Sequence, residues 1–348
     1  MQYLLLVADS FRESAIDELR RACSYSIIKE QHNLIIAELK NPDTERIASA
    51  KFIYSYFPLQ KSSLLDSKNY MCSIKRAIIS LGLDRHSAIK LECFDINCKQ
   101  GYSAKDIEVA VGSEMERTGY NIDIIHPEIL AYCVLMDSEC YSGYVDLYAH
   151  DHGSIDPFRY NKEKVVSRSE FKIMEAFAEF RLAAPDVVID LGASPGGWSY
   201  FLAKNGSAVA AVDSGALDNE SMEGVMVRVM RNPERARLRA DSLKKRGIVH
   251  MKCTFDRALA SLSGIKADML TDDMNMGGID SSEAVIRYSR LLKKDGLLLM
   301  TVKCMRRNVG RYIKEVEALL EPKFVILRWK VLPHNRQEIT LLARRRPT

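Results

Sequence analysis

The chain has 348 residues, of which 47% are hydrophobic and 28% charged, with a net charge of +4. These are the proportions of an ordinary globular protein with room for two or three domains, and so small a net charge does not identify a partner by itself. No stretch reaches the ~20 apolar residues a membrane span needs, and the amino terminus is a short apolar strand without a basic leader, so the chain reads as cytoplasmic.

Eight cysteines, Cys23, Cys72, Cys93, Cys98, Cys133, Cys140, Cys253 and Cys304, are scattered and never form Cys-x-x-Cys. Reduced core thiols follow from that spacing, and a zinc site does not. His150-Asp151-His152 is the one metal-like cluster, and with no further ligand nearby it reads as an exposed linker, so no metal is expected.

In chain order, residues 1–8 read as a strand and 10–23 as a helix with Ile16, Leu19 and Cys23 on one face. Strands at 24–29 and 34–39 and a helix from 44 to 50 complete a β-α-β-β-α pattern, a ferredoxin-like domain ending near Leu65. A second unit, 66–150, has helices at 73–81 and 104–117 and strands at 88–96, 121–124, 130–136 and 143–148. In the second helix Ile107, Ala110, Val111 and Met115 form the expected buried stripe. A polar stretch, 151–164, reads as the linker to a final domain, 165–348.

That final domain opens on the most informative stretch. An unbroken apolar run, Val187-Val188-Ile189, ends at Asp190 and is followed by the turn Leu191-Gly192-Ala193-Ser194-Pro195-Gly196-Gly197. A helix over 198–204 and a second buried strand over 208–212, ending at Asp213, complete a βαβ unit of a Rossmann-like α/β domain. Ligands in such sheets sit at the carboxyl ends of the strands, so Asp190 and Asp213 flank one crevice. Asp213 is placed to bind two ribose hydroxyls, and the glycines let backbone approach a ligand. The turn lacks the second glycine of the dinucleotide fingerprint and carries a proline. With no pyrophosphate to cradle, Asp190 can face a cationic amino group, and S-adenosylmethionine is favoured over a nicotinamide cofactor.

Further on, strands are expected at 249–253, 267–271, 297–302, 324–332 and 338–344, with helices at 233–245, 282–292 and 309–320. Residues 225–230 are an alternative third strand, in which case Asn232 rather than Thr254 follows it. Arg228, Arg231, Arg235, Arg237, Arg239, Lys244, Lys245 and Arg246 are either solvated helix charge or phosphate contacts. Arg306, Arg307, Arg311 and Arg344-Arg345-Arg346 are expected to rim the crevice.

Four ionisable residues lie where the fold should bring them together: Lys172 in the first helix, Asp273 after the fourth strand, Lys303 ending the fifth, and Glu338 opening the last. A lysine that ends the apolar run LLLMTVK is costly unless its ammonium is paired, so a charge network is expected.

The motifs resemble the FtsJ/RrmJ family of ribose 2′-O-methyltransferases. The matching stretches are 166–177 (VSRSEFKIMEAF), 190–198 (DLGASPGGW), 212–215 (VDSG), Asp273-Met274, Lys303 and 332–340 (LPHNRQEIT). The likeness is strongest to members that methylate a cytidine of 23S ribosomal RNA and carry an amino-terminal THUMP module. Residues 121–128 (NIDIIHPE) resemble that module's VDL-x-x-P-[DE] stretch. The resemblance implies a catalytic tetrad of Lys172, Asp273, Lys303 and Glu338, with Lys303 as the base. It also implies cofactor contacts from Ser167, Asp190, Gly192, Ser194, Pro195, Gly196, Gly197, Trp198, Asp213 and Asp273. Thr254 stands where the family has an acid that recognises adenine. The implied partner is a structured RNA, ribosomal rather than transfer RNA, bound by a monomer. Base methylation and a non-catalytic RNA-binding role are the competing readings: the first lacks Asn/Asp-Pro-Pro-Tyr/Phe after the fourth strand and a Pro-Cys nucleophile beside Cys304, the second is opposed by the intact tetrad.

Overall fold

The computed structural model describes residues 1–96, 101–147, 165–231, 238, 243, 245–304 and 308–347. They fall into two units, Met1–Arg159 and Tyr160–Thr348.

The first unit holds β1 (Gln2–Val7), α1 (Arg12–Ala22), β2 (Ser24–Gln31), β3 (Leu34–Lys40), α2 (Thr44–Ala48) and β4 (Ile53–Leu59), in a sheet of order β2-β3-β1-β4. It continues with β5 (Lys61–Leu64), α3 (Tyr70–Ile79), β6 (Ile89–Ile96), α4 (Ala104–Arg117), β7 (Ile129–Met136) and β8 (Glu139–Asp146), in a second sheet of order β5-β8-β7-β6. The central strand β7 is buried at every position, as its unbroken apolar sequence requires.

Three expectations change here. The division at residue 65 falls after a strand, β5, that already pairs with β8, so the second sheet begins at Lys61. The two sheets also share contacts: the Tyr132 hydroxyl donates to the Pro58 carbonyl at 2.5 Å, and the Phe57 and Tyr132 rings lie 5.0 Å apart. The stretch 121–124 is not a strand. It makes a single bridge, Ile122 to Ile89, because the Asp123 carboxylate takes the backbone N–H groups of Ile125 and His126 and turns the chain. On α4 the buried stripe is Ile107, Val111, Gly112 and Met115, and Ala110 faces solvent.

The second unit is a Rossmann-like α/β domain. In order it has α5 (Arg168–Glu179), β9 (Val187–Leu191), α6 (Gly197–Lys204), β10 (Ala208–Asp213), β11 (Met226–Met230), β12 (Gly247–Lys252), α7 (Phe255–Ser261) and β13 (Ala267–Asp272). Then come α8 (Gly278–Tyr288), β14 (Leu292–Lys303), α9 (Val309–Leu320), β15 (Phe324–Lys330) and β16 (Glu338–Arg345). The eight strands run in the order β11-β12-β10-β9-β13-β14-β16-β15, and β16 alone runs opposite to the other seven.

The third strand falls where expected, as β12 beside β10, but the alternative stretch also forms a strand, β11, outside it. The helix expected at 282–292 begins earlier, at Gly278, and gives way to a 3-10 turn over Ser289–Leu291. The turn-forming pair Asp295-Gly296, which reads in the sequence as a helix stop, is not part of that helix. The pair lies inside β14, with Asp295 at φ 60, at a register shift against β13. The linker 151–164, the cluster His150-Asp151-His152, the helix 233–245 in the main, Asn232, Arg306 and Arg307 lie outside the described residues. Among the described residues, no helix is long and apolar enough to cross a membrane.

Candidate active site

The strand order determines which residues meet. β9 and β10 lead into the glycine turn and Asp213, β13 leads into Asp273, and β14 ends at Lys303. Because β16 runs the other way, its first residue, Glu338, stands in register with the last residue of β14, Lys303. The end of one strand and the start of the next thus lie side by side.

Lys172, one turn into α5, points its ammonium between two acids: Nζ lies 2.6 Å from Glu338 Oε1 and 3.2 Å from Asp273 Oδ1. Burial opposes the lysine's charge, but Asp273 and then Glu338 outweigh it and hold the amine above its usual lysine value. Asp273 also accepts the Thr301 hydroxyl at 2.6 Å. Lys303 lies beside this trio but is held differently, with Nζ donating to the Asn275 carboxamide oxygen at 2.8 Å. One amine is therefore locked between carboxylates, and the other rests on a neutral amide.

Thr301 and Asn275 are site residues that the motif reading missed. Thr301 precedes Lys303 by two positions on β14 and so shares its face, a signal available from strand periodicity. Asn275 is two residues past Asp273, and nothing in its spacing marks it.

The adjacent aspartates at the end of β13 are sorted by the structure. Asp273 reaches Lys172, whereas Asp272 is fully buried, accepting the Ser281 hydroxyl and the Met274 N–H. Burial pushes the Asp272 carboxyl up to about 7, against those two donors.

The glycine turn is shaped by close packing. Gly192 has φ 74, and a Cβ there would lie 2.7 Å from the Met274 N and Cα, so the strand-end loop carrying Asp273 can come this close only to glycine. At Gly197 a Cβ would lie 2.4 Å from Ser167 Oγ, which brings the start of α5 onto the start of α6. Asp213 is half-buried and oriented by the N–H of Ser194 at 3.0 Å and of Gly215 at 2.6 Å. Ser194 Oγ donates to the Ala216 carbonyl, closing the turn against the loop after β10. Pro195 is exposed and Gly196 buried on that turn, and Thr254 is exposed immediately past β12, opening α7.

Two expected cofactor contacts are placed elsewhere. Asp190 does not face an open crevice: it is 1% exposed, with Ser199 and Thr271 hydroxyls donating at 2.6 and 2.7 Å. Its position one residue before the end of β9 turns it under α6, and burial drives its carboxyl up to about 7. Trp198 is likewise buried, its indole N–H donating to the Ser169 carbonyl at 2.8 Å and tying α6 to α5.

The carboxy-terminal arginines also depart from expectation. With Glu338 at the crevice, seven antiparallel residues carry the chain ~20 Å to the other end of the sheet. There Arg345 bonds the Leu292 carbonyl and Arg346 that of Glu321, so this trio does not rim the crevice.

Residues 165–325, within the second unit, match the FtsJ-like methyltransferase family. Over 193 residues the chain is 26% identical to the ribosomal RNA large subunit methyltransferase M of Shewanella woodyi, covering 52% of this chain and 48% of that one. A shorter match, 46% identical over 65 residues, covers 16% of this chain and 18% of the methyltransferase M of Shewanella sediminis. An uncharacterized protein of Methanocaldococcus jannaschii is 25% identical over 166 residues, 46% of this chain and 39% of its own. The chain spans less than half the length of these curated relatives. Among solved structures, TrmN from Thermus thermophilus aligns over 99% of this chain and 100% of its own at 12% identity, with a TM-score of 0.39.

Proposed function

We propose that the chain transfers a methyl group from S-adenosylmethionine to a ribose 2′-hydroxyl of RNA, with ribosomal RNA as the substrate and the first unit as the RNA-binding part. The observation that carries the reading is the placement of Lys172 between Asp273 and Glu338 with Lys303 in register beside them.

The residues present fit the cofactor. A half-buried carboxylate, Asp213, is oriented by two backbone N–H groups at the end of the second strand, as ribose hydroxyls require. Ser167, Ser194, Gly196, Gly197 and Thr254 lie at the same strand ends and would hold the remaining polar groups, with Asp273 at the methyl end. When bound, the cofactor supplies an electrophilic methyl group on a sulfonium.

The chain's own residues supply the rest. A ribose hydroxyl is a poor nucleophile, so it must be oriented in line and lose its proton. Lys172 keeps its proton because two carboxylates hold it, and its charge steadies the hydroxyl oxygen as the proton leaves. Lys303 is the amine not bonded to a carboxylate, which makes it the acceptor. The neighbouring thiol is unsuited to base methylation by a covalent route: Cys304 is buried, and burial pushes it up to about 12, with Glu338 adding to the effect.

Replacing Lys303 by alanine tests the reading. Methyl transfer to ribose should fall by about 10²–10⁴-fold, the range of a lost general base, with RNA affinity unchanged. Unchanged transfer, or transfer to a base, would overturn it. Mapping 2′-O-methyl sites in total RNA with and without the protein identifies the target and separates ribosomal from transfer RNA.

A further inference from the structure

One pair of titratable side chains beside the tetrad has no part in the chemistry above. Glu175 on α5 is fully buried, a costly setting for a carboxylate unless its oxygens are bonded. Both oxygens are engaged by a single residue, His334. The His334 backbone N–H donates to Oε2 at 3.0 Å, and its ring Nδ1 meets Oε1. With Glu175 ionised its oxygens only accept, and the bond then places the proton on Nδ1, although burial raises the Glu175 carboxyl above its usual value. The imidazole also stacks on Phe171, with centroids 4.5 Å apart and planes inclined by 25°.

The consequence lies in where these contacts fall. Phe171 precedes Lys172 on α5, and Glu175 follows it by one turn. His334 belongs to the loop between β15 and β16, four residues before Glu338. That loop is stiffened from within, since Asn335 Oδ1 accepts the Leu332 N–H at 2.8 Å and the Thr340 hydroxyl at 3.1 Å. His334 therefore grips α5 on both sides of Lys172 from the segment that delivers Glu338.

We propose that His334 and Glu175 are positioning residues that fix the separation of Lys172 from Glu338, and through it the alignment of the tetrad with the ribose hydroxyl. In its kinetic part this rests on the methyltransferase reading above. Neither residue touches the reacting atoms. Their contribution is to hold two elements in one register, so that a long lysine chain meets its acid without searching.

The test uses the full chain with His334→Phe, which keeps the stacking and loses the ring bond, and His334→Asn, which keeps a donor near the Nδ1 position. Single-turnover methyl transfer should drop in the phenylalanine variant by about 10²-fold, the scale of an ångström of misplacement, with cofactor and RNA affinities unchanged. The asparagine variant should recover most of the rate. A second readout needs no activity: reductive methylation of amines, followed by mass spectrometry, should find Lys172 protected in the parent and labelled in His334→Phe. Should His334→Phe fail to fold, Glu175→Gln, which keeps an acceptor for the backbone N–H, is compared in its place. A parental rate and parental labelling in the variant overturn the proposal. So does a rate loss matched by loss of cofactor affinity with no recovery in the asparagine variant. If the parent itself transfers no methyl group, the 2′-O reading fails, and Lys172 labelling alone decides for or against the clamp.

Discussion

Asp190 offers a direct measurement of what the buried floor of the crevice costs. Its carboxyl is 1% exposed, and burial raises it from the ordinary aspartate range to about 7 despite two hydroxyl donors. Since the folded-state value lies above the unfolded one, folding favours the neutral acid. The resulting stability is fully present below the unfolded value and is lost as pH climbs through about 7. A rise of that size corresponds to on the order of 4 kcal/mol between the two ends of the window. Replacing Asp190 by asparagine removes the titration and keeps the shape. Thr271 can turn its hydroxyl proton toward the Ile189 carbonyl, 3.5 Å away, and accept from the introduced amide. The cost of that rearrangement is about 1 kcal/mol. Urea unfolding of parent and variant from about pH 5 to about pH 8.5 reads the effect, because groups remote from Asp190 cancel in the difference, while Asp272, also raised to about 7 and repelled by Asp190, is eased in the variant and adds to the same trend. The parent should lose stability relative to the variant as pH rises, by a few kcal/mol, and the variant should be the more stable protein at the alkaline end. A difference that stays flat across the window would refute the reasoning and show Asp190 to be ionised throughout.

Replacing Lys172 by methionine should destabilise the domain by about 3–5 kcal/mol at neutral pH, because Asp273 and Glu338 are left facing each other without their cation; thermal unfolding of the variant at neutral and acidic pH checks this, the loss shrinking on acidification. Gly192→Ala should cost about 2 kcal/mol or more, since φ 74 and a contact at 2.7 Å with Met274 backbone combine, read as a lowered melting temperature. Asp213→Asn should weaken S-adenosylmethionine binding about tenfold in calorimetry while leaving the fold intact, because an amide has one acceptor oxygen for the two N–H groups that now orient the carboxylate.

The parallel sheet was legible because buried strands such as VVIDL and AVAAV are apolar without alternation, and each is closed by an acid or a turn. Asp273 and Glu338 were legible because they lie at strand ends that the sheet order brings together, whereas Lys172 lies one turn into α5 and reaches them from that helix. What failed was direction. Asp190 has the right chemistry for a ligand contact, but it is the fourth residue of a five-residue strand, and parity points it under α6. The expectation that Arg344, Arg345 and Arg346 rim the crevice overlooks that the eight residues of β16 keep its two ends apart. The strand β4 contains Pro58, which weakens its strand signal in the sequence, and β5 is a short, largely polar stretch, so neither is marked by pattern alone. Asn275 and Thr301 depend on side-chain reach across strand ends, which no spacing records.

The reversed strand β16 has a further consequence. It is threaded between β14 and β15 after everything else in the sheet has been synthesised, and it brings Glu338 with it. Before that insertion Lys172 faces a single acid, Asp273, so the glycine turn and the ends of the parallel strands can form while the pairing that holds Lys172 is only half made. On the reading proposed above, the last strand to be synthesised completes the charge pairing, and a nascent or clipped chain lacking β16 would keep the glycine turn but leave Lys172 with one acid instead of two.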